Sequence, residues 1–391
     1  MEEKNEIDNF ERKVKIRKNI ILIIIGIFVI LSILIFSLYI AKEDFRKWID
    51  ASILKKNVYT ENLPTIDLDI NKTNQICTYG KYIAILNDKK VDIYNNGGES
   101  ISKIPVDINN AIFDSSGKYL AIAEEGGKNF YLIFDNNYLW SNYLDGEIKQ
   151  ICVNENGYLV IVTADSTYKS IITLYNAEGK EVLKKYLSST RAIDVSISRD
   201  NNFLAIAELD TSGTVIQSNV EVISISKITK SDENSIVYSY KDESGRLITD
   251  IEYQEKNNLA IMYDNLIKVL NSNFELSEDV TLEDGNITYS SVNLNSGYVY
   301  VEEESSGIFS SRSIIHINNS QKNIYNLEEV AKEVYTYGKV VAVNVGLETY
   351  FLSDNGWLIK KVTSNQEITN ISFSNNLAVI IYKDRVEIVN L

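Results

Sequence analysis

The chain has 391 residues, 45% of them hydrophobic and 24% charged, a composition typical of a folded globular protein and unlike a disordered one. Its formal net charge is −15. Residues 1–41 carry six basic and five acidic side chains, a balance of +1, which leaves −16 for residues 42–391. Because an acidic domain repels phosphate backbones, nucleic acid is excluded as an expected partner.

The first element is an uncharged apolar stretch over residues 20–41. At a rise of about 1.5 Å per residue, a helix of this length crosses a hydrocarbon core of roughly 30 Å. The stretch is longer than the apolar region of a signal peptide, and it ends in Tyr39-Ile40-Ala41-Lys42 without a small-residue cleavage site. It therefore predicts an uncleaved transmembrane signal anchor. A buried core helix and a cleaved signal peptide are the alternatives.

Basic residues on the two sides of this stretch predict its orientation. Five precede it and three follow it: Arg12, Lys13, Lys15, Arg17 and Lys18 before, Lys42, Arg46 and Lys47 after. The positive-inside rule then makes residues 1–19 a cytoplasmic tail of a single-pass cell-membrane protein, with the C-terminal domain outside the cytoplasm. Residues 42–57 place apolar side chains at helical spacing and predict a stalk or juxtamembrane helix; these side chains are Phe45, Trp48, Ile49 and Ile53.

The rest of the chain contains one pattern eight times: a polar turn, then an aromatic or polar residue, then an apolar run. The copies begin at Tyr82, Tyr119, Tyr158, Phe203, Asn258, Tyr298, Lys339 and Asn376. Their spacing averages near 42 residues, which is the length of a four-stranded propeller blade. Residues 58–391 are thus predicted to form one all-β domain, an eight-bladed β-propeller. If the weakest copy, at Lys339, is not a blade, the alternative is seven blades.

The end of the chain predicts how the ring closes. The last copy stops at Leu391 after its third strand, so its outer strand has to come from elsewhere. Residues 65–70, Thr-Ile-Asp-Leu-Asp-Ile, alternate polar and apolar and can supply it, which removes exposed sheet edges. The longest interval, between Phe203 and Asn258, is explained by longer loops near 210–219 and 229–234.

The turn before the apolar run carries a family resemblance. Asp114-Ser-Ser-Gly-Lys-Tyr-Leu-Ala-Ile-Ala and Ser198-Arg-Asp-Asn-Asn-Phe-Leu-Ala-Ile-Ala resemble the repeats of WD40-like, YVTN-like and quinoprotein-like propellers. With the preceding span, the chain resembles an uncharacterised family of low-GC Gram-positive single-pass membrane proteins with a C-terminal propeller domain of unknown function. That resemblance implies no known activity. The chain departs from true WD40 repeats because it has no Trp-Asp and no Gly-His pair.

Few residue combinations in the sequence predict chemistry. A single histidine, His316, excludes metal sites and catalytic groupings that need two histidines. Cys77 and Cys152 fall in the predicted first strands of blades one and three, which are not neighbours, so we expect buried thiols rather than a disulfide. No phosphate-binding loop or nucleophile elbow is present. We therefore predict no catalytic, cofactor-binding or metal site, and no cofactor.

Carboxylates recur after each apolar run, where the second strand of a blade would turn into the third. The eight are Asp88, Glu125, Asp165, Asp210, Asp264, Glu304, Glu348 and Asp384. Because these loops emerge on one face of a propeller, they predict an acidic rim that binds a cation or a basic partner. The alternative is that they are ordinary solvated turn residues.

The sequence favours a non-catalytic protein-interaction or scaffold module of the cell envelope, with another envelope or membrane protein as partner. A ligand-sensing ectodomain that works through a membrane partner is one alternative. A carboxylate-based glycan-acting enzyme is another, and it requires two carboxyl groups about 5 to 9.5 Å apart in a concave pocket. The oligomeric state and the identity of the partner stay open.

Overall fold

A computed structural model describes residues 24–42, 45–46, 49, 53–54, 63–70, 72, 75–228, 235–242, 244–282, 286–305, 311–319 and 321–391. Residues 1–58 and 59–391 form separate compact units, and each is described by itself. The predicted tail over residues 1–19, most of the predicted stalk including Trp48, and the predicted loop over 229–234 lie outside the described residues.

The first unit contains helix α1 (Ile24–Ala41), which is long and apolar enough to cross a membrane. None of its apolar side chains is buried within the protein, as expected of a helix whose surroundings are lipid. Helical hydrogen bonding continues past it, because the Lys42 N–H donates to the Leu38 carbonyl at 2.9 Å and the Arg46 N–H to the Lys42 carbonyl at 3.0 Å. The predicted span is therefore helical over its described part.

The second unit consists of eight four-stranded antiparallel sheets, and the eight-bladed prediction is confirmed. The chain begins this unit with β1 (Thr65–Asp67). Blade 1 is β2 (Gln75–Tyr79), β3 (Tyr82–Asn87), β4 (Lys90–Tyr94) and β5 (Ser100–Pro105). Blade 2 is β6 (Ala111–Ser116), β7 (Tyr119–Glu124), β8 (Asn129–Phe134) and β9 (Asn137–Tyr143). Blade 3 is β10 (Glu147–Val153), β11 (Leu159–Ala164), β12 (Ser170–Tyr175) and β13 (Glu181–Leu187).

Blades 4 to 7 repeat the same order. Blade 4 is β14 (Thr190–Ile197), β15 (Phe203–Asp210), β16 (Gln217–Ser224) and β17 (Ile236–Asp242), with a 3-10 turn at Ile225–Lys227. Blade 5 is β18 (Ile248–Tyr253), β19 (Leu259–Tyr263), β20 (Leu266–Leu270) and β21 (Leu276–Thr281), with a 3-10 turn at Glu255–Asn257. Blade 6 is β22 (Ile287–Ser291), β23 (Tyr298–Ser305), β24 (Ser311–Asn318) and β25 (Lys322–Asn326). Blade 7 is β26 (Glu333–Tyr337), β27 (Val340–Asn344), β28 (Glu348–Ser353) and β29 (Leu358–Thr363).

Blade 8 joins the two ends of the domain. It contains β30 (Asn370–Phe373), β31 (Leu377–Ile381) and β32 (Arg385–Asn390), and β1 completes it by pairing antiparallel with β32. Ile66 lies opposite Val386 and is buried. The predicted closure by the start of the domain is therefore confirmed. The Lys339 copy of the repeat supplies β27, so the seven-bladed alternative is wrong.

Apolar side chains on both faces of each sheet pack between neighbouring blades. One cluster, for example, joins Ala121 and Phe130 of blade 2 to Ile151 and Leu159 of blade 3. Burial on both faces is why the second strands contain continuous apolar runs that do not alternate with polar residues. The turns need special backbone geometry: Gly297 has φ of +84°, and a Cβ there would overlap the carbonyl oxygen of Asn318.

The innermost strands of blades 3 to 6 share an irregularity in register. Each has one extra residue near its start, before Gln150, Asp194, Asp250 and Tyr289 respectively. Such a β-bulge bends the strand and re-aims the side chains that follow it. In blades 3 to 5, these are side chains that line the centre of the ring.

Candidate functional site

The acidic residues predicted from the repeat lie where each second strand turns into the third. Asp88, Glu125, Asp165, Asp264 and Asp384 occupy the connections themselves. Asp210 ends β15, Glu304 is near the end of β23, and Glu348 begins β28. Since second-to-third connections all emerge at the same end of the blades, these eight residues belong to one face of the ring. We call this the acidic face.

Half of the acidic face is neutralised by lysine or arginine. Asp88 pairs with Lys72, and three further carboxylates pair as follows: Glu304 with Arg312 at 2.6 Å, Glu348 with Lys361 at 2.7 Å and Asp384 with Arg385 at 3.4 Å. These four belong to blades 6, 7, 8 and 1, which are consecutive in the ring. On that side, all four of the predicted carboxylates are therefore paired with a cation.

The other four carboxylates form what we call the acidic arc, over blades 2 to 5: Glu125, Asp165, Asp210 and Asp264. Within the described residues, no lysine or arginine lies within ion-pair distance of Glu125, Asp165 or Asp264. Asp210 has one distant partner, Lys241 at 3.9 Å. Besides the hydrogen bonds from Ser212, Lys241 and Lys169 also lower the pKa of Asp210, so the unpaired carboxylates of the arc are Glu125, Asp165 and Asp264.

Local hydrogen bonds hold the side chains of the arc in place. The Glu125 carboxylate accepts a hydrogen bond from Asn110 Nδ2 at 2.7 Å. Asp165 accepts the backbone N–H groups of Thr167 and Tyr168, both at 2.7 Å, in a turn stabilised by its own side chain. These contacts are the ordinary structural role of turn carboxylates, and they leave the negative charge facing solvent.

A second acidic group lies in the centre of the ring, and sequence reasoning missed it. A cavity of about 360 Å³ opens among the innermost strands, and five carboxyl residues line it. Glu155 lies in a turn, and the other four lie in first strands: Asp114 in β6, Asp194 in β14, and Asp250 and Glu252 in β18. We call these four the channel cluster. One cation, Arg199, lies at the cavity wall and donates to Asn295 Oδ1 at 2.6 Å.

Asp194 is the best-connected member of the channel cluster. Its carboxylate accepts hydrogen bonds from Gln150 Nε2 at 2.5 Å, from the Ile251 N–H at 2.8 Å and from its neighbour Val195 N–H at 2.9 Å. It also shares a hydrogen bond with the carboxyl group of Asp250. Because Asp194 already accepts three N–H donors, the shared proton is held by Asp250.

Burial raises the pKa values of the whole cluster. It raises the pKa of Asp250 to about 9, with the negative charge of Asp194 adding to the shift. Burial and the same neighbouring charge raise the pKa of Glu252 to about 8, although Ser196 Oγ donates to it at 3.2 Å. Burial raises the pKa of Asp114 to about 6, although the Val153 N–H donates to it at 2.6 Å. At neutral pH, Asp250 and Glu252 therefore hold protons.

A signal for the channel cluster exists in the sequence. Asp114 and Glu252 lie opposite the third residue of the repeat, Ala121 and Ala260, so each is in a strand that pairs with a buried apolar run. A carboxylate inside such a strand indicates a buried polar site. The sequence does not show that these four carboxyl groups lie close together, because they come from three different blades. Among the described residues, no group of three or more His, Cys, Asp or Glu side chains is arranged to hold a metal ion.

The predicted cysteines also have defined positions. Cys77 lies in β2 and Cys152 in β10, the first strands of blades 1 and 3, as expected. Both are free thiols. Burial raises the pKa of Cys77 to about 12, and that of Cys152 well above its ordinary value.

A model of a protein family of unknown function matches residues 55–391, nearly all of the chain after the helix. The chain belongs to this family, DUF5711. Among curated protein sequences, none matches the DUF5711 chain.

Solved structures show the same fold at low sequence identity. The C-terminal WD40 domain of Sif2 is similar at TM-score 0.56 and 11% identity, covering 84% of this chain and 99% of that one. BamB from Moraxella catarrhalis has TM-score 0.51 and 12% identity, with 85% and 99% covered. Sqt1 of Chaetomium thermophilum, solved bound to the N-terminus of ribosomal protein L10, has TM-score 0.51 and 12% identity, with 86% and 99% covered. These similarities establish a β-propeller of the WD40 and BamB type.

Proposed function

We propose that this protein is a non-catalytic interaction module, held to the cell membrane by α1, that binds a basic segment of another envelope or membrane protein on the acidic arc. One observation carries the proposal. Within the described residues, the carboxylates of the acidic face that have no lysine or arginine at ion-pair distance are Glu125, Asp165 and Asp264, and all three belong to the acidic arc. A surface with concentrated charge of one sign attracts and orients a partner of the opposite sign.

Two further considerations support an interaction role. The ring is closed by β1, so its faces are rigid platforms that present loops. The Sqt1 propeller in its solved form holds a peptide segment of another protein, which shows that this type of fold accommodates such a partner. The anchor and the basic residues before it favour a propeller outside the cytoplasm and a cytoplasmic N-terminus.

The geometry of the channel cluster gives no support to a glycan-acting enzyme. Glycoside hydrolases of the retaining and inverting types need two carboxyl groups about 5 to 9.5 Å apart. The one pair of carboxyl groups in direct contact, Asp194 and Asp250, shares a hydrogen bond and so does not have the separation of a glycosidase pair. We therefore retain the interaction module as the proposed function, with the ligand-sensing ectodomain as the alternative to it.

The test is crosslinking in intact cells, with the protein recovered from membranes and its neighbours quantified. In the test variant, the arc is neutralised by Glu125→Gln, Asp165→Asn and Asp264→Asn, which keep side-chain size and the local hydrogen bonds. In a matched control, three ion-paired carboxylates on the opposite side are neutralised by three equivalent changes: Glu304→Gln, Glu348→Gln and Asp384→Asn.

We expect a specific neighbour to be recovered by the wild type and by the control, and to be lost from the arc variant. The capture should also weaken at high salt, because solvent-exposed charges are screened. Equal recovery by both variants would disprove the role of the arc. Failure of the wild type to recover any specific neighbour would count against an interaction module altogether.

A further inference from the structure

In blade 7, the protein holds a cation between a carboxylate and an aromatic ring. Lys361 Nζ lies 4.8 Å from the centre of the Tyr350 ring and 2.7 Å from Glu348 Oε2. The Tyr350 hydroxyl donates to the same carboxylate oxygen at 2.8 Å, so the three side chains form one unit. The negative face of the ring attracts the ammonium group, and the carboxylate accepts one of its N–H groups.

Blade 8 holds a second cation in the same way. The Arg385 guanidinium lies 4.5 Å from the centre of the Tyr382 ring, and its Nη2 donates to Glu387 Oε1 at 2.8 Å. The Tyr382 hydroxyl donates to the other oxygen of that carboxylate at 2.9 Å. In two blades of this protein, a carboxylate beside a tyrosine ring is therefore the grouping that holds a lysine or arginine side chain.

Blade 3 also brings a carboxylate and tyrosine rings together, in a turn of the acidic arc. Asp165 and Tyr168 lie in the connection between β11 and β12, and the Tyr168 ring packs against Tyr186 of β13 with the ring centres 4.7 Å apart. Asp165 accepts the Thr167 and Tyr168 N–H groups on Oδ1, and Oδ2 accepts no hydrogen bond within the described residues. Asp165 is exposed, and Tyr186 is 50% exposed.

The lysines closest to this turn along the chain do not neutralise Asp165. Lys169 is held at the start of blade 4, because its Nζ donates to the Ser189 carbonyl at 2.7 Å. Lys184 Nζ lies 5.9 Å from the centre of the Tyr186 ring, which is close to the outer limit of about 6 Å for a cation–π contact. Within the described part of the chain, neither lysine lies within ion-pair distance of Asp165. The grouping of blade 3 therefore has the carboxylate and the rings of blades 7 and 8, and its carboxylate has no cation of its own.

We propose that Asp165, Tyr168 and Tyr186 form a cation notch, which receives one lysine or arginine side chain of the basic segment bound on the acidic arc. The inference rests on the proposed function, because Asp165 belongs to the arc, and it identifies the side chain that is recognised there. The cation lies against the tyrosine rings and donates an N–H to Asp165 Oδ2, as the internal cations do to their carboxylates in blades 7 and 8. A quaternary ammonium, such as the choline of a lipid headgroup, has no N–H to donate. The free carboxylate oxygen therefore favours a protein side chain.

The experiment measures binding of a fluorescently labelled tetralysine peptide to the full chain in neutral detergent micelles, by anisotropy at low salt. A second peptide, in which every lysine is trimethylated at Nζ, keeps the charge and removes the N–H donors. Two variants change the notch: Tyr186→Leu removes one ring, and Asp165→Asn removes the charge but keeps Oδ1 as the acceptor of the turn. Tyr186→Phe keeps the ring. The matched control is Tyr138→Leu near the start of β9, because Tyr138 is also 50% exposed and lies toward the opposite face of the ring.

We expect the wild type, Tyr186→Phe and Tyr138→Leu to bind tetralysine equally, and Tyr186→Leu and Asp165→Asn each to bind it about fivefold more weakly. The trimethylated peptide should bind the wild type more weakly than tetralysine does. A wild type that does not bind tetralysine would overturn the notch, and so would a Tyr186→Leu variant that binds it as the wild type does. Equal affinity for the two peptides would also overturn the inference and would indicate a site for quaternary ammonium groups.

The crosslinking comparison separates the failure of the notch from the failure of the proposed function. A neighbour that is lost from the arc variant but retained by Tyr186→Leu would leave the arc as the binding surface and would eliminate the notch. A neighbour that is retained by the arc variant would contradict the proposed function itself, whatever tetralysine does.

Discussion

The channel cluster makes a sharp prediction for the pH dependence of stability. In the folded protein, burial and the charge of Asp194 raise the pKa of Asp250 to about 9, from an ordinary value of 3.8. The folded state therefore binds a proton that the unfolded chain has lost. Stability contributed by a group with a raised carboxyl pKa is fully present below its unfolded pKa, and it is lost as pH rises toward the folded value.

The substitution Asp250→Asn removes this dependence and keeps the hydrogen bond, because the amide N–H donates to Asp194 as the protonated carboxyl does. At about pH 7, the wild type must bind this proton when it folds, at a pH about three units above the unfolded pKa of 3.8. The variant avoids that cost, so its free energy of unfolding should be about 4 kcal/mol larger. For a propeller of this size, that is an increase of roughly 6 °C in Tm. The advantage should fall below about 1 kcal/mol near pH 4, because nearly half of the unfolded chains then carry the proton that the folded protein holds.

The assay is thermal unfolding of the wild type and the variant in detergent at several pH values between about 4 and 9. The matched control is Asp194→Asn, which places an N–H₂ group or a weaker acceptor against the donors Gln150 and Ile251, and which should destabilise the protein throughout the range. If Asp250→Asn is not more stable near pH 7, or if its advantage is the same near pH 4, then the shared proton does not exist as described.

Three further perturbations test the fold. Replacing Ile66 by Ala removes a buried side chain from the closing strand and should cost about 3 kcal/mol in chemical unfolding; a loss within error would mean that β1 does not close the ring. Gly297→Ala should lower stability by about 2 kcal/mol or more, because a Cβ would overlap the Asn318 carbonyl at positive φ, and an unchanged Tm would contradict that backbone conformation. Cys77 should react with iodoacetamide near pH 8 about a thousandfold more slowly than a free thiol until the protein unfolds, and Cys152 should also react slowly; rapid labelling of the native protein would contradict the raised thiol pKa values.

The blade repeat could be predicted from the sequence because each blade buries its second strand on both faces. The apolar runs from Tyr82 to Asn376 mark second strands in all eight blades, and the polar turns before them mark the hairpins. The closure of the ring could be predicted as well. A final blade of three strands needs a fourth, and Thr65–Asp67 has the polar and apolar alternation of an outer strand. Both predictions rest on local sequence patterns and on the number of strands in the last blade. Neither requires knowing which blades are in contact.

The sequence predicted the carboxylates of the acidic face, but it did not predict which of them are paired with a cation. Turn carboxylates can be read from their position in the repeat, but the cations that neutralise them come from other strands or loops. Lys361 reaches Glu348 from the next strand, β29, and Lys72 reaches Asp88 from sixteen residues earlier. The folded structure decides which of these cations reach a carboxylate, so the position of the unpaired carboxylates Glu125, Asp165 and Asp264 could not be predicted.

The channel cluster depended entirely on the closed ring. Asp114, Asp194 and Asp250 are separated by 80 and 56 residues, and each lies in the first strand of a different blade. The sequence determines that such strands exist and that they come first in their blades. Closing eight blades around an axis turns these strands inward and takes their carboxyl groups out of water, and that burial is what raises their pKa values.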